Sequence, residues 1–273
     1  MTQPSNAPFA PVTGLLAALD LLQISCNGAV LHLCINRPAK RNALSDTLIQ
    51  QLHTAFVNLP DGVAAAVISG AGEHFCAGLD LSELVERDIG SGVKHSRMWH
   101  AAFDLIQFGS VPVVAELHGA VVGGGLELAS ACHVRVADEG TYFALPEGQR
   151  GIFVGGGGSV RIPRLMGVAR MTDLMLTGRV YDAAEGVAAG LAQYLVPQGT
   201  SLDKAIALAQ RIATNAPLSN YAVMHALPRI ADQSMSDGLF TESLMAAVAE
   251  STPDAQDRLR AFLEKRAGKV VKS

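Results

Sequence analysis

Gly123-Gly124-Gly125, Glu127 and Glu147 are the residues of this chain whose types and spacing best suit chemistry. The three glycines follow an apolar, β-rich run and open the segment Leu126-Glu127-Leu128-Ala129-Ser130-Ala131, which reads as a buried helix. A backbone without side chains at a helix start can bring N–H groups close to a ligand, so the turn is a candidate anion or oxyanion site. Taken by themselves, the glycines better suit a tight turn that packs a helix on a sheet. Glu127 falls in the first turn of that apolar helix, where a carboxylate is costly to bury unless a partner pairs with it or a reaction uses it. Glu147 follows 20 residues later, at the end of the next β segment.

These residues need walls, and the surrounding pattern supplies them. Short strands alternate with helices, the signature of an α/β protein. Ala29 to Asn36 reads as a strand stopped by Arg37-Pro38. Ser45 can cap a helix from Asp46 to Leu59, with Leu48, Leu52, Ala55, Phe56 and Leu59 at helical spacing. Val63 to Ser69 is a fully apolar strand, and His74 to Leu81 is a second short stretch with small residues at its centre. Ser82 to Ser96, marked by Gly90, Ser91 and Gly92, reads as a loop, followed by a helix from Arg97 to Phe108. Strands are expected over Val111 to Leu117, Cys132 to Ala137 and Tyr142 to Leu145. Gly151 to Gly158 holds five glycines, so the backbone there must turn sharply or approach something closely. Asp182-Ala183-Ala184-Glu185 has the form of a capping box, Ser201 can open a helix, and the remainder to Arg266 is mainly helical.

Composition excludes several functional classes. A hydrophobic content of 49% in 273 residues supports a sizeable core and argues against disorder. No apolar run approaches the ~20 residues of a membrane helix. Met1 to Pro11 lacks a basic start and is rich in proline and polar residues, so it reads as a frayed tail rather than a secretory signal, which points to the cytoplasm. Cys26, Cys34, Cys76 and Cys132 are widely spaced, as suits buried reduced thiols. His74, His118 and His133 show no ligand spacing, so no metal site is expected. A net charge of -4 gives no general attraction to nucleic acid.

Four motifs in order carry a family resemblance. Asn36-Arg37-Pro38 with Asn42-Ala43-Leu44, Phe75-Cys76-Ala77-Gly78-Leu79-Asp80, Gly119 to Ala129, and Pro146-Glu147 with its following glycine-rich turn resemble the crotonase (enoyl-CoA hydratase/isomerase) superfamily. The resemblance runs from about Ile24 to the C-terminus. It implies a crotonase-type ββα superhelix core over residues 24–200, after a partly ordered tail over 1–23. It further implies a helical region over 201–273 used in homotrimer formation, with trimers commonly paired into hexamers. The ligand it implies is an acyl-CoA thioester, coenzyme A being part of the substrate and no separate cofactor being required.

The resemblance also assigns roles. The backbone N–H groups of Ala77 and Gly124 become the oxyanion donors, each worth about 3 kcal/mol of barrier lowering in a dry site. Glu127 and Glu147 become the pair that holds a water, adds its hydroxyl to the β-carbon and delivers a proton to the α-carbon of a trans-2-enoyl thioester. Two carboxylates so placed titrate as a coupled pair, and neither is acid or base from sequence alone. Isomerases of the family tend to keep only the glutamate matching Glu147, so the presence of both favours hydration. Lys40, Cys76, Leu79, Asp80 and Gly123 are expected to contact substrate, Lys40 with Arg41 at the coenzyme's phosphates. Ala261 to Arg266 resembles the family's C-terminal helix.

Departures from the family pattern bear on the substrate. Leu79 stands where a smaller residue is frequent and narrows the way to the acyl pocket, and His133 stands where an aspartate is frequent. Gln149-Arg150 and Val154 replace an apolar pair and a proline, so Arg150 either brings a charge to the site or faces solvent. The other readings on the same scaffold are isomerisation, decarboxylation or thioester hydrolysis, and a non-catalytic CoA- or RNA-binding member.

Overall fold

The sheet that carries the site grows from a two-residue hairpin. In the computed structural model, which describes residues 8–83 and 88–264, β2 (Leu22–Asn27) pairs antiparallel with β3 (Val30–Ile35). Gly28 at the turn takes φ 56°, a conformation open to glycine. A short β1 (Ala10–Pro11) adds to the β2 edge. The rest of the sheet is parallel: β3, β4 (Ala65–Gly70), β5 (Val113–Leu117), β7 (Val134–Asp138) and β10 (Tyr194–Val196), in that order. A three-stranded sheet is built from β6 (Ala120–Val122), β8 (Tyr142–Ala144) and β9 (Val180–Asp182). Successive units of strand, short strand and helix repeat along the chain. β5, β6 and α3 (Gly124–Ala131) form one, and β7, β8 and α4 (Gly158–Met166) form the next.

Both faces of the central sheet are covered, as parallel strands require. Ala66, Ile68, Val113, Ala115 and Leu117 turn into the large core with α1 (Asp46–Val57) and α2 (Ile89–Gln107). Their alternates Ala65, Val67 and Val114 turn to the other face, where Ala205 and Ala209 of α7 (Ser201–Ala213) cover them. α1 is capped as its sequence dictates, with Leu48 N–H donating to Ser45 Oγ at 3.2 Å and Leu48, Ile49, Leu52, Ala55 and Phe56 buried. The capping box at Asp182 and Glu185 is present at the start of α6 (Ala183–Ala189). α5 (Val168–Thr177) completes the helices before it.

One expectation requires correction. The segment read as a loop to Ser96 is helical from Ile89, because the Asp88 carboxylate accepts from both Ser91 N–H and Ser91 Oγ. That cap, with Trp99, Phe103 and Ile106 buried further along, outweighs roughly 1 kcal/mol of helix preference lost at each of Gly90 and Gly92. Contacts divide the chain after Ala213, which places α7 in the first unit, Met1–Ala213. Part of the chain ahead of Ile24 joins the fold. From Ala10 it pairs in the sheet, and a 3-10 turn at Gly14–Ala18 buries Leu16.

The second unit, Thr214–Ser273, is helical over its described residues. α8 (Pro217–Tyr221) runs through a π-helical turn into α9 (Leu227–Ala231), and α10 (Met235–Glu250) and α11 (Pro253–Leu263) follow, capped by Ser234 and Thr252. Leu239, Phe240, Leu244, Phe262 and Leu263 on these last two helices are exposed. Lys265 and Arg266 of the expected terminal helix lie outside the described residues.

Candidate active site

Both glutamates open onto one cavity of about 200 Å³, walled by the glycines at the start of α3, the residue 77–81 stretch, α2 and the Gly-rich loop before α4. Gly123 initiates α3 at φ 54°, ψ -123°, a backbone state that a side chain would strain, and its N–H donates to Ala144 O at 2.9 Å. The chain then enters the helix with Gly124, whose N–H is one of the first-turn donors that no carbonyl of the helix can reach. A Cβ on Gly125 would stand 2.4 Å from Cys76 O, so the helix start and the 76–80 stretch are pressed together.

The direction of the peptide groups in that stretch decides which amide faces the cavity. Among the described residues the peptide bonds are trans, so a carbonyl and the N–H of the same peptide point opposite ways. Cys76 O accepts from Val122 N–H at 3.1 Å, which turns Ala77 N–H the other way, onto Arg41 O at 3.0 Å. One peptide later the pattern inverts. Gly78 O accepts from Leu44 N–H at 2.7 Å and Asp80 N–H donates to Leu44 O at 2.9 Å, so Leu79 N–H turns toward the side of β6 and Gly124. The expected donor at Ala77 is therefore wrong: its hydrogen bond is already made within the protein, and the amide directed to the cavity is that of Leu79. Asn42 fixes this register, its side chain donating to Ala71 O and His74 O at 2.9 and 2.6 Å and accepting from Arg37 N–H at 2.9 Å.

The glutamates are held differently. Glu127 is buried, and its Oε1 accepts from Gly156 N–H and Gly158 N–H, each at 2.8 Å. Glycine is needed at 158, where a Cβ would lie 2.7 Å from Glu127 Cγ. The loop is pinned by Arg161, which donates to Gly156 O at 3.0 Å and to Asp104 at 2.6 Å, and by Ser96 Oγ, which donates to Gly155 O at 2.6 Å. Burial raises the Glu127 pKa, against the pull of those backbone donors and of Arg161. Glu147 sits in a 3-10 turn, Pro146–Arg150, and is buried with no partner for its Oε2. Burial, with the neighbouring Glu127 charge, pushes its pKa up to about 7, against the opposing effect of Arg150. One acid is thus fixed by donors, and the other keeps an oxygen for exchange with a ligand.

The remaining expected contacts separate. Gly123 and Leu79 line the cavity. Cys76 and Asp80 are buried and do not: burial pushes the Cys76 thiol up to about 12, so it is no nucleophile. Asp80 takes hydrogen bonds from Ser82 Oγ at 2.6 Å and Arg37 at 2.8 Å, which hold its pKa down at about 2. Lys40 is half-exposed with its Nζ 3.8 Å from Asp80, and Arg41 donates to Tyr142 Oη at 2.6 Å. His74, His118 and His133 serve the framework: His74 accepts from Ala120 N–H, His118 pairs with Glu116, and His133 accepts from Val113 N–H. Among the described residues no group of metal-ligating side chains gathers.

Sequence reasoning missed Leu79 N–H, the two loop amides on Glu127, and Trp99 in the cavity wall, whose ring packs edge to face on Phe103 at 5.8 Å. The five glycines of 151–158 carried the signal for the loop amides, since a backbone that must approach something closely needs a target.

Residues 25–270 match the family model described as Enoyl-CoA hydratase/isomerase. A curated relative from Escherichia coli, named 2,3-dehydroadipyl-CoA hydratase, is 33% identical over 90% of this chain and 96% of its own. A crystal structure from Rhodopseudomonas palustris is 56% identical, covering 94% of this chain and 100% of that one, with a TM-score of 0.89. The enoyl-CoA hydratase structure from Bacillus anthracis is 31% identical over 90% of this chain and 96% of its own, with a TM-score of 0.83.

Proposed function

The chain belongs to the enoyl-CoA hydratase/isomerase family and is an enzyme that hydrates an enoyl-CoA thioester, and we propose that it does so with Leu79 N–H, Gly124 N–H, Glu127 and Glu147. The thioester oxygen accepts from the two amides, which stabilise the negative charge that develops there as the enolate forms. The start of α3 adds its partial positive charge. A water held between the two acids gives a proton to the Glu127 carboxylate and its hydroxyl to the β-carbon. Glu147, protonated, delivers its proton to the α-carbon as the enolate collapses. One water is consumed, and proton transfer between the acids resets the pair. The reverse sequence dehydrates.

The observation that carries this reading is the convergence of both acids and both amides on one cavity, with Glu127 fixed as an acceptor and Glu147 Oε2 left without a partner. Loss of enoyl absorbance on mixing with trans-2-enoyl-CoA tests it, with Glu147→Gln as the inactive control.

Assembly into a homotrimer or a dimer of trimers is part of the same proposal. Its support is the exposed apolar side chains of α10 and α11, Phe240, Leu244, Phe262 and Leu263 among them, which a neighbouring copy would cover. A cytoplasmic location is supported by the four unpaired thiols, which suit a reducing compartment. No helix of the described residues is long and apolar enough to cross a membrane. Neither a separate cofactor nor nucleic acid has a part in this scheme.

A further inference from the structure

We propose that Arg150 selects the acyl group, and that the preferred substrate is an enoyl thioester whose acyl chain carries a carboxylate beyond the reacting double bond. The inference rests on the hydratase reading of this cavity and names its substrate class.

Arg150 ends the 3-10 turn that begins at Pro146, three residues beyond Glu147, and lines the same cavity. It is the one Lys or Arg on that wall among the described residues, and its side chain makes no hydrogen bond or ion pair there. The guanidinium does not serve Glu147 as a salt-bridge partner, because Glu147 Oε2 is left without any partner. Nor do the apolar side chains of the same lining, Leu81, Ile152 and Phe153 among them, call for a cation. With two acids in the cavity, an incoming carboxylate is repelled unless a cation meets it, and a guanidinium meets a carboxylate with two parallel donors.

The lining favours the acyl chain over the coenzyme as the source of the anion. The thioester oxygen lies at Leu79 and Gly124, and the reacting carbons lie at Glu127 and Glu147. Atoms past the β-carbon stay on the walls of this cavity, where Arg150 is, among the described residues, the one Lys or Arg side chain that can meet a carboxylate they carry. The basic pair nearest the 76–80 stretch, Lys40 and Arg41, does not line the cavity.

The test compares a trans-2-enoyl-CoA bearing a terminal carboxylate with the neutral straight-chain ester of equal length, as the ratio of their kcat/KM values. The wild-type ratio is expected to favour the carboxylate by about tenfold or more, and Arg150→Met to remove most of that preference while Arg150→Lys restores part of it. Removing the Arg150 charge also raises the Glu147 pKa, but that change acts on both substrates and cancels in the ratio. Equal losses for both esters in Arg150→Met would assign the guanidinium to the coenzyme's phosphates and overturn the proposal, as would an unchanged ratio. Calorimetric binding of the two saturated acyl-CoA analogues reads the same preference without turnover. A preference there that depends on Arg150, with no hydration of either enoyl ester, would sink the hydratase reading and leave the anion site standing.

Discussion

Gly123 lies so close to Glu147 that a Cβ built on it would stand 2.7 Å from Glu147 Oε1. The residue that starts α3 with a left-handed φ therefore also sets the distance between the helix start and the second acid. Gly123→Ala is expected to lose most hydratase activity, roughly 10²-fold or more, by straining the turn and displacing that carboxyl together. Steady-state rates with circular dichroism as a check on folding would show it.

Glu127→Gln and Glu147→Gln remove different steps of one reaction. Each is expected to lower kcat by roughly 10²–10⁴ with little change in binding of a saturated acyl-CoA. A variant that bound normally and turned over at the wild-type rate would remove that acid from the mechanism.

Hydration requires Glu147 protonated and Glu127 ionised, so kcat/KM in the hydration direction should fall as pH rises through about 7, where Glu147 loses its proton. Arg150→Met takes away a charge that lowers the Glu147 pKa, and should move this alkaline limb to higher pH. A pH-rate profile of the two proteins, with one neutral substrate, measures both effects.

The same group makes stability depend on pH. Its folded pKa of about 7 lies above the ordinary 4.5, so between these values the folded protein binds more protons than the unfolded chain and stability falls as pH rises. The loss is complete above about 7 and amounts to about 3 kcal/mol. Glu147→Gln carries no charge and should therefore melt higher than the wild type at pH 8 and lose that advantage at pH 4.5, as thermal unfolding would record.

The fold was largely legible because its signals are local. Ser45 before an apolar repeat, the alternation of small apolar residues in β4 and β5, and the Asp182 capping box each require only near neighbours. The extra turns of α2 were not, since Gly90 and Gly92 argue against a helix until Asp88 is known to cap it. In the site, the motif and the cost of burial point to both acids and Gly124, which line one cavity. The choice between Ala77 and Leu79 could not, because it depends on which way a peptide faces, and that is set by pairing with Arg41 and Leu44 more than thirty residues earlier.

Replacing the amide at 79 by an ester, through incorporation of the hydroxy-acid analogue of leucine, deletes one donor and leaves every side chain in place. It should lower kcat by roughly 10²-fold or more, whereas the same change at 77 should act mainly on stability through the bond to Arg41. The reverse pattern would return the oxyanion to Ala77.

The central claim is tested most directly by turnover of a trans-2-enoyl-CoA in deuterium oxide with mass-resolved product. The wild type should yield the 3-hydroxyacyl-CoA with a single deuterium at the α-carbon, and Glu147→Gln should yield almost none. Unchanged enoyl thioester from the wild type, or full formation of the deuterated product by Glu147→Gln, would contradict the account.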